Sequence, residues 1–532
     1  MNSLDYTIVG IYAVALIAIA TFISLNKSGE KKTAEDYFLA GRSLPWWAIG
    51  TSLIAANIAA DQIIGMNGDA YAMGIAIATY EWTAAIALIV VGKFLLPVYL
   101  KQKVFTMPQL LSQRYDQTVS TMLAILMLIM YVMVILPTIL WLGAKAVNNL
   151  TGLELIPAMI LLGLLSLAYS LYGGLKAVAF TDIIQVTLLI FAGLFVSYVG
   201  LNAISDGAGV VEGFMILQSE FPEKFDALLP YVSQSENPEA YGNYVRLPGI
   251  WVLIGGMWIA HFYYWGTNQY ITQRALGGKS LNEAQNGLMF AGFLKLLMPV
   301  VVVLPGLIAV SLEGSAIPSL EGDRSRAYPS MLSLLPNGIL GLTFAALVAA
   351  IVSSLASLTN SLSTIFTMDI YRKFSKNHVS ESKLISIGRN TVIVSLLIAV
   401  IVAKPLLGSF DSIFQYIQNF TGLFTPGILV IFLVALFWNK ATTLSTLVAA
   451  ISSLVLSVFI SFTFPELPYI HRMGIVFFIS GFACYMTALI QGYQIQAKAI
   501  DLNGIDFTTS RSFNINTIIV VSVLAFIYIT FA

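Results

Sequence analysis

A single cysteine in 532 residues, Cys484, excludes an internal disulfide framework and any thiolate-based metal site. The three histidines, His261, His378 and His471, are too widely spaced for a metal-ligand pattern. Charge is scarce as well: Asp, Glu, Lys and Arg make up 10% of the chain, against about 25% in soluble domains. The 27 basic and 27 acidic residues cancel, and with no basic tract present a nucleic-acid partner is excluded. No hydrophilic segment is long enough for a separate enzyme or signalling domain. Neither a His/Asp metal pattern nor a Ser–His pair falls within the apolar segments, so the chain reads as a non-enzyme without an organic cofactor. The start, "MNSLDYTIVGIYAVALIAIATFISL", lacks a basic n-region and a small-residue cleavage motif, and reads as a retained first span.

Apolar residues are what the chain has in abundance: 58% are hydrophobic and the mean hydropathy is +0.84. A soluble protein of this composition could not cover its surface, so this is an all-α polytopic membrane protein. With about 20 apolar residues needed per crossing, fourteen spans are expected. They lie near 5–25, 46–71, 75–100, 119–147, 154–173, 178–203, 249–274, 284–312, 337–371, 384–404, 411–438, 441–462, 471–492 and 512–531. Placing both termini outside puts 18 of the 27 basic residues in cytoplasmic loops, among them Arg114, Lys176 and Arg274, and six on the opposite face. The connection 204–248 is acidic and reads as an external loop with short helices. The expected location is a plasma membrane of the bacterial inner-membrane kind, with residues 1–532 forming one transport domain.

Two segments carry groups that hydrocarbon does not tolerate unpaired. "SLIAANIAADQIIGMNG" at 52–68 holds Asn57, Asp61 and Gln62, and "IGGMWIAHFYYWGTNQY" at 254–270 sets Gly255 and Gly256 before a polar-aromatic cluster. Irregular backbone survives at membrane depth only where it lines a cavity or is buried in protein. The two segments open the second and seventh spans, five apart, the pattern of an inverted-repeat transporter with its site at the breaks. The alternative is that these glycines mark close helix packing.

"AEDYFLAGRSLPWWAIGTSLIAANI" (34–58), "LYGGLKAVAFTDIIQ" (171–185) and "AAIVSSLASLTNSLSTIFTMDIY" (349–371) resemble the sodium/solute symporter family. Together with "YEW" (80–82), "NQYITQR" (268–274) and "FQYIQNFTGLFTPGIL" (414–429), they resemble its sodium/glucose and sodium/galactose cotransporter branch. The resemblance spans almost the whole chain. It implies the leucine-transporter-type fold, with inverted five-helix repeats at 46–203 and 249–438, the external loop 204–248 between them, one extra helix before and three after, the last within 439–532. It also implies Na⁺ as coupling ion and uptake of a small neutral sugar.

Ala350, Ser353 and Ser354 stand at i, i+3 and i+4 and share a helix face. Carbonyls freed by unwinding near Ala55 and Ile58 would complete an oxygen shell for Na⁺, and in the family these five matching positions are the sodium ligands. The alternative for the serines is back-bonding to carbonyls one turn earlier. By resemblance Asp182 lies on the sodium exit route or at a second cation position; otherwise it is a helix-end carboxylate paired with Lys176.

For the sugar, the resemblance assigns Gln62, Glu81, Lys295 and Gln418 as contacts, Asn57 as support for the pocket floor, and Tyr264 as inner gate. Met66, Tyr80 and Phe414 match the outer lid, although Met and aromatic stripes are also ordinary core packing. Glu81 and Lys295 are ionisable groups deep in spans and so functional candidates in their own right; alternatively they form a pair that only braces the bundle. Two departures bear on the choice of sugar. Ala84 replaces an expected serine, and His261 replaces an expected asparagine and introduces a group that titrates near neutral pH. Losing one neutral hydrogen bond costs about 0.5–1.5 kcal/mol, enough to alter preference among hexoses. The competing expectation is a same-family symporter for a polyol, amino acid, vitamin or carboxylate, the last disfavoured by the charge of Glu81.

Overall fold

Hydrocarbon offers no partner for a free backbone N–H, so long apolar runs close their hydrogen bonds internally as helices. The computed structural model describes residues 1–24, 33–320, 322–375, 379–408 and 412–531. Every named element among them is helical. Lys27, Lys31, Lys32, Lys376 and His378 lie outside the described residues. Among those described, nine helices are long and apolar enough to cross a membrane, or eleven if two bent pairs are each one span.

Burial separates a central group of helices from a peripheral one. In the most apolar stretch of Ile339–Phe374, 78% of residues are buried, against 17% in Arg511–Phe531. Ile339–Ile365 packs against Leu155–Ile204, and Trp46–Asn57 against Leu281–Val302. Thr443–Thr463 and Tyr469–Ile490 pair with each other at the periphery. There Phe462, Ile490 and Ile529 are exposed, as a lipid-facing surface requires.

Gly74 ends the second expected span. Its backbone, at φ +74° and ψ −154°, suits glycine alone, and a Cβ there would lie 2.2 Å from the Lys224 carbonyl oxygen. Lys224 belongs to the connection 204–248, which contains the short helices Val210–Glu220 and Pro238–Arg246. Its ammonium donates to the carbonyls of Tyr71 (3.2 Å) and Ala72 (2.6 Å), capping the end of the helix Asn67–Met73. Burial there pulls this lysine below its ordinary pKa.

Two expectations need correction. Span 411–438 is divided into Ile413–Thr421 and Thr425–Phe437, bent by 46°, and Pro426 opens the second piece. Finally, Arg114 and Arg274, counted as loop charges, are buried in the protein. Arg114 donates to the carbonyls of Ala435, Trp438 and Ala441 and so ties loop ends together.

Candidate functional site

The helix Trp46–Asn57 stops where polar side chains begin. Ile58 adopts φ −82° and ψ 91°, Ala59 is non-helical, and the chain resumes as Asp61–Met66 in a wider, π-type winding. Irregular backbone of this kind leaves carbonyl oxygens without helical donors. Ser354, on the facing helix Ile339–Ile365, places its hydroxyl 3.1 Å from the Ala55 oxygen and 3.4 Å from the Ile58 oxygen. Ala350 is buried one turn earlier on that helix. Ser353 directs its hydroxyl to Asp182. Having donated its proton, Ser353 keeps oxygen lone pairs to offer a cation. Among the described hydrogen bonds both serines thus bond across helices, not back along their own.

Asp182 is fully buried and accepts from Ser52 (2.5 Å) as well as from Ser353. Its cationic neighbour is Arg274 at 3.9 Å, while Lys176 is exposed. The pairing with Lys176 is therefore replaced by a buried one, because Arg274 lies on Gln269–Leu276, which packs against both Trp46–Asn57 and Ile339–Ile365. Arg274 donates to the carbonyl (2.9 Å) and hydroxyl (2.8 Å) of Ser52, and also to the Tyr270 carbonyl and the Ser357 hydroxyl. One guanidinium fork thereby locks three helices around the serine pair.

Beside the break lies a cavity of about 90 Å³. Its wall contains Asn57, Gln62, Glu81, His261, Tyr264, Lys295 and Gln418, residues drawn from distant parts of the chain. Lys295 donates to Glu81 at 2.6 Å and also to the Asn57 side-chain oxygen, and its ammonium stands 5.1 Å from the Trp265 ring centroid. Both members of this ion pair are 1% exposed. Asn57 then donates to the Tyr264 hydroxyl (3.1 Å), which meets the Tyr270 hydroxyl at 2.5 Å. The chain from Glu81 through Lys295 and Asn57 to Tyr264 joins the first break to the second. His261 bonds the Thr83 hydroxyl at 2.6 Å, and Gln62 leaves its buried Oε1 without a partner among the described residues.

Gly255 and Gly256 do interrupt the helix. The pieces on either side are bent by 78°, and a Cβ on Gly256 would lie 2.1 Å from the Ile470 carbonyl oxygen. Break and close packing therefore coincide at this point. A second interruption falls after the aromatic cluster, at Thr267 and Asn268, between Met257–Gly266 and Gln269–Leu276. There Asn268 accepts from the Tyr131 hydroxyl.

Tyr80 and Phe414 pack edge to face at 5.3 Å on the cavity wall, and Tyr80 meets Tyr469 hydroxyl to hydroxyl. Met66 does not reach the wall: it is 0% exposed within the core, and Tyr469 and Met473 line the cavity instead. Away from the cavity, fully buried Asp69 accepts from Arg324 (3.2 Å) and Ser412 (3.0 Å), pinning the helix Asn67–Met73 to the segments that hold them.

Sequence reasoning missed Asp61, Tyr263, Trp265, Asn268, Tyr270 and Tyr469 as lining residues. All but Tyr469 fall in the two quoted stretches, so their location was marked. Which of them faces the cavity depends on helical phase across breaks that spacing alone does not set.

The model of the family described as the sodium:solute symporter family matches residues 37–453. A sodium/glucose cotransporter of Vibrio parahaemolyticus is 41% identical over 544 aligned positions, which cover 100% of this chain and 98% of its own. A Na⁺-coupled sialic acid symporter, solved substrate-bound and outward-open, superposes with a TM-score of 0.79 at 21% identity, covering 92% of this chain and 98% of its own. A nucleobase-cation-symport-1 family transporter, closed around bromovinylhydantoin, gives 0.53 at 14% identity, with coverage of 89% and 98%. Both solved structures share the fold of this chain.

Proposed function

The chain belongs to the sodium:solute symporter family, and from that premise we propose how it couples Na⁺ to sugar. It is a multi-pass membrane transporter, a Na⁺-coupled sugar symporter and not an enzyme. Na⁺ binds among the oxygens of Ala55, Ile58, Ala350, Ser353 and Ser354. A neutral hexose of glucose or galactose type binds in the adjoining cavity, held by Gln62, Glu81, His261, Lys295 and Gln418 above Tyr264, with Asn57 bracing the floor and Tyr80 and Phe414 as the cover. Asp182 receives the ion on its way to the cytoplasm. The observation that carries this reading is the juxtaposition of the Ser354 hydroxyl, the Ala55 and Ile58 carbonyls and a polar cavity on one interruption of the helix.

External Na⁺ orders the break, the sugar fills the cavity, and the repeats 46–203 and 249–438 rock against each other to open inward. Coupling of this kind needs Na⁺ to favour the outward, sugar-ready state by differential contacts. Shared backbone supplies them: Asn57, one residue before the break, also holds Lys295 and Tyr264. A 100 mV potential contributes about 2.3 kcal/mol per charge, and a tenfold Na⁺ gradient about 1.4 kcal/mol. One Na⁺ per sugar therefore sustains accumulation of roughly a few hundredfold.

Both termini are placed outside, in a bacterial inner membrane. Setting aside buried Arg114, Arg274 and Arg472, 16 basic residues remain on the cytoplasmic side against five outside, which supports that orientation. Counterflow of labelled glucose into proteoliposomes, with and without Na⁺, tests the function. Na⁺-dependent exchange inhibited by excess galactose or glucose is expected. Exchange indifferent to Na⁺, or competed by polyols, amino acids or carboxylates but not hexoses, would overturn it.

A further inference from the structure

The Thr83 hydroxyl oxygen has two close partners. It stands 2.6 Å from the Thr79 carbonyl oxygen, one turn back on its own helix, and 2.6 Å from Nε2 of His261 on Met257–Gly266. Both residues are buried, at 2% and 6% exposure. A hydroxyl has one hydrogen, and a carbonyl oxygen only accepts. The 2.6 Å approach to Thr79 therefore holds only if Thr83 donates its hydrogen there; otherwise two oxygens would face each other with lone pairs alone. The contact with His261 must then take its hydrogen from the ring.

We propose that Thr83 is a positioning residue that fixes His261 as the Nε2–H tautomer, so that Nδ1 is left to the substrate cavity as a bare acceptor. The inference rests on reading that cavity as the sugar site. Thr83 is not part of the cavity wall, whereas His261 is, and Nδ1 makes no hydrogen bond among the described residues. Close by, the Lys295 ammonium is engaged by Glu81 and Asn57, and Ala84, next after Thr83, offers no hydroxyl. At His261 the protein accepts and the sugar must donate. An amide in place of His261 would offer both a donor and an acceptor, and would read a sugar hydroxyl less strictly. The hydroxyl selected is one whose hydrogen, not merely its oxygen, is required.

Three histidines make the tautomer directly observable. In ¹⁵N-histidine-labelled full-length protein in lipid nanodiscs, the His261 signal, assigned by its loss in His261→Asn, should show a neutral ring protonated at Nε2. Thr83→Ser should retain it and Thr83→Val should give mixed tautomers. In counterflow, one member of a monodeoxyfluoro-glucose series should fall about tenfold below glucose, since C–F accepts but does not donate. Thr83→Val should shrink that ratio to about threefold or less, and Thr83→Ser should restore it. A wild-type ring protonated at Nδ1 or at both nitrogens overturns the proposal, as does a fluorination ratio unchanged by Thr83→Val. An Nε2–H ring in a protein that exchanges no hexose would instead refute the sugar reading and leave the tautomer assignment standing.

Discussion

Ser354→Ala removes one oxygen from the place where a broken helix and an intact one face each other. In the structure that hydroxyl is 3.1 Å from the Ala55 carbonyl oxygen and 3.4 Å from that of Ile58. Without Na⁺ the loss is a neutral hydrogen bond shared between two acceptors, about 0.5–1.5 kcal/mol. With Na⁺ bound the same oxygen serves a full charge in a dry interior. Interactions with charged groups are worth about 1.5–3 kcal/mol each; net of the neutral bond lost from the ion-free state about 1–1.5 kcal/mol remains, so the half-saturating Na⁺ concentration should rise about 5- to 12-fold. The hexose contacts are untouched, and the affinity for sugar at saturating Na⁺ should change by less than about threefold. Counterflow in proteoliposomes, titrated first with Na⁺ and then with glucose, separates the two effects, and Ser354→Thr, which keeps the hydroxyl, should stay near wild type. A Na⁺ titration of Ser354→Ala that overlays the wild-type curve would refute the placement of the ion. Equal losses in the Na⁺ and sugar titrations would show that the residue serves packing alone.

Lys295→Met leaves Glu81 buried without its cation and should cost about 3–5 kcal/mol in detergent unfolding, while the double variant with Glu81→Gln should recover part of it. A double variant less stable than either single one would contradict that pairing. Arg274→Lys replaces a fork that reaches Ser52, Tyr270 and Ser357 with a single ammonium. Leaving one or two buried acceptors unmet should cost about 1–3 kcal/mol each, read as a lowered midpoint of thermal unfolding. Gly256→Ala places a methyl 2.1 Å from the Ile470 carbonyl oxygen, and the overpacking should cost about 1–3 kcal/mol in the same assay, where an unchanged midpoint would mean that the two segments separate freely.

The polar run at Asn57, Asp61 and Gln62 announced an interruption because hydrocarbon penalises such groups wherever they stay unpaired. The i, i+3, i+4 set at Ala350, Ser353 and Ser354 announced a shared face because helical geometry is local. Arg274 shows where that reasoning stops. A cation beside a span end reads as a loop charge, and only the packing of its helix against two others makes it the buried partner of Asp182. The second interruption, at Thr267 and Asn268, escaped for a related reason. Neither residue is a strong helix breaker; the hydroxyls of Tyr131, Tyr264 and Tyr270 and the amide of Asn57 stabilise the bend from other segments. The burial of Met66 away from the cavity wall was not legible either, since an apolar residue carries no mark of which side of a helix faces a cavity and which faces core.

By itself the sequence determined a membrane-embedded bundle of helices, an interruption within 52–68, and one helix face shared by Ala350, Ser353 and Ser354. These follow from hydropathy, backbone hydrogen bonding and helical periodicity, all of which act within about a turn or a span. Tertiary structure alone decided that Glu81 meets Lys295, that Asp182 meets Arg274 and that Thr83 holds His261. Each of these contacts joins residues more than 80 positions apart, and long-range electrostatic and hydrogen-bond partners are chosen by how helices pack, which no local rule encodes.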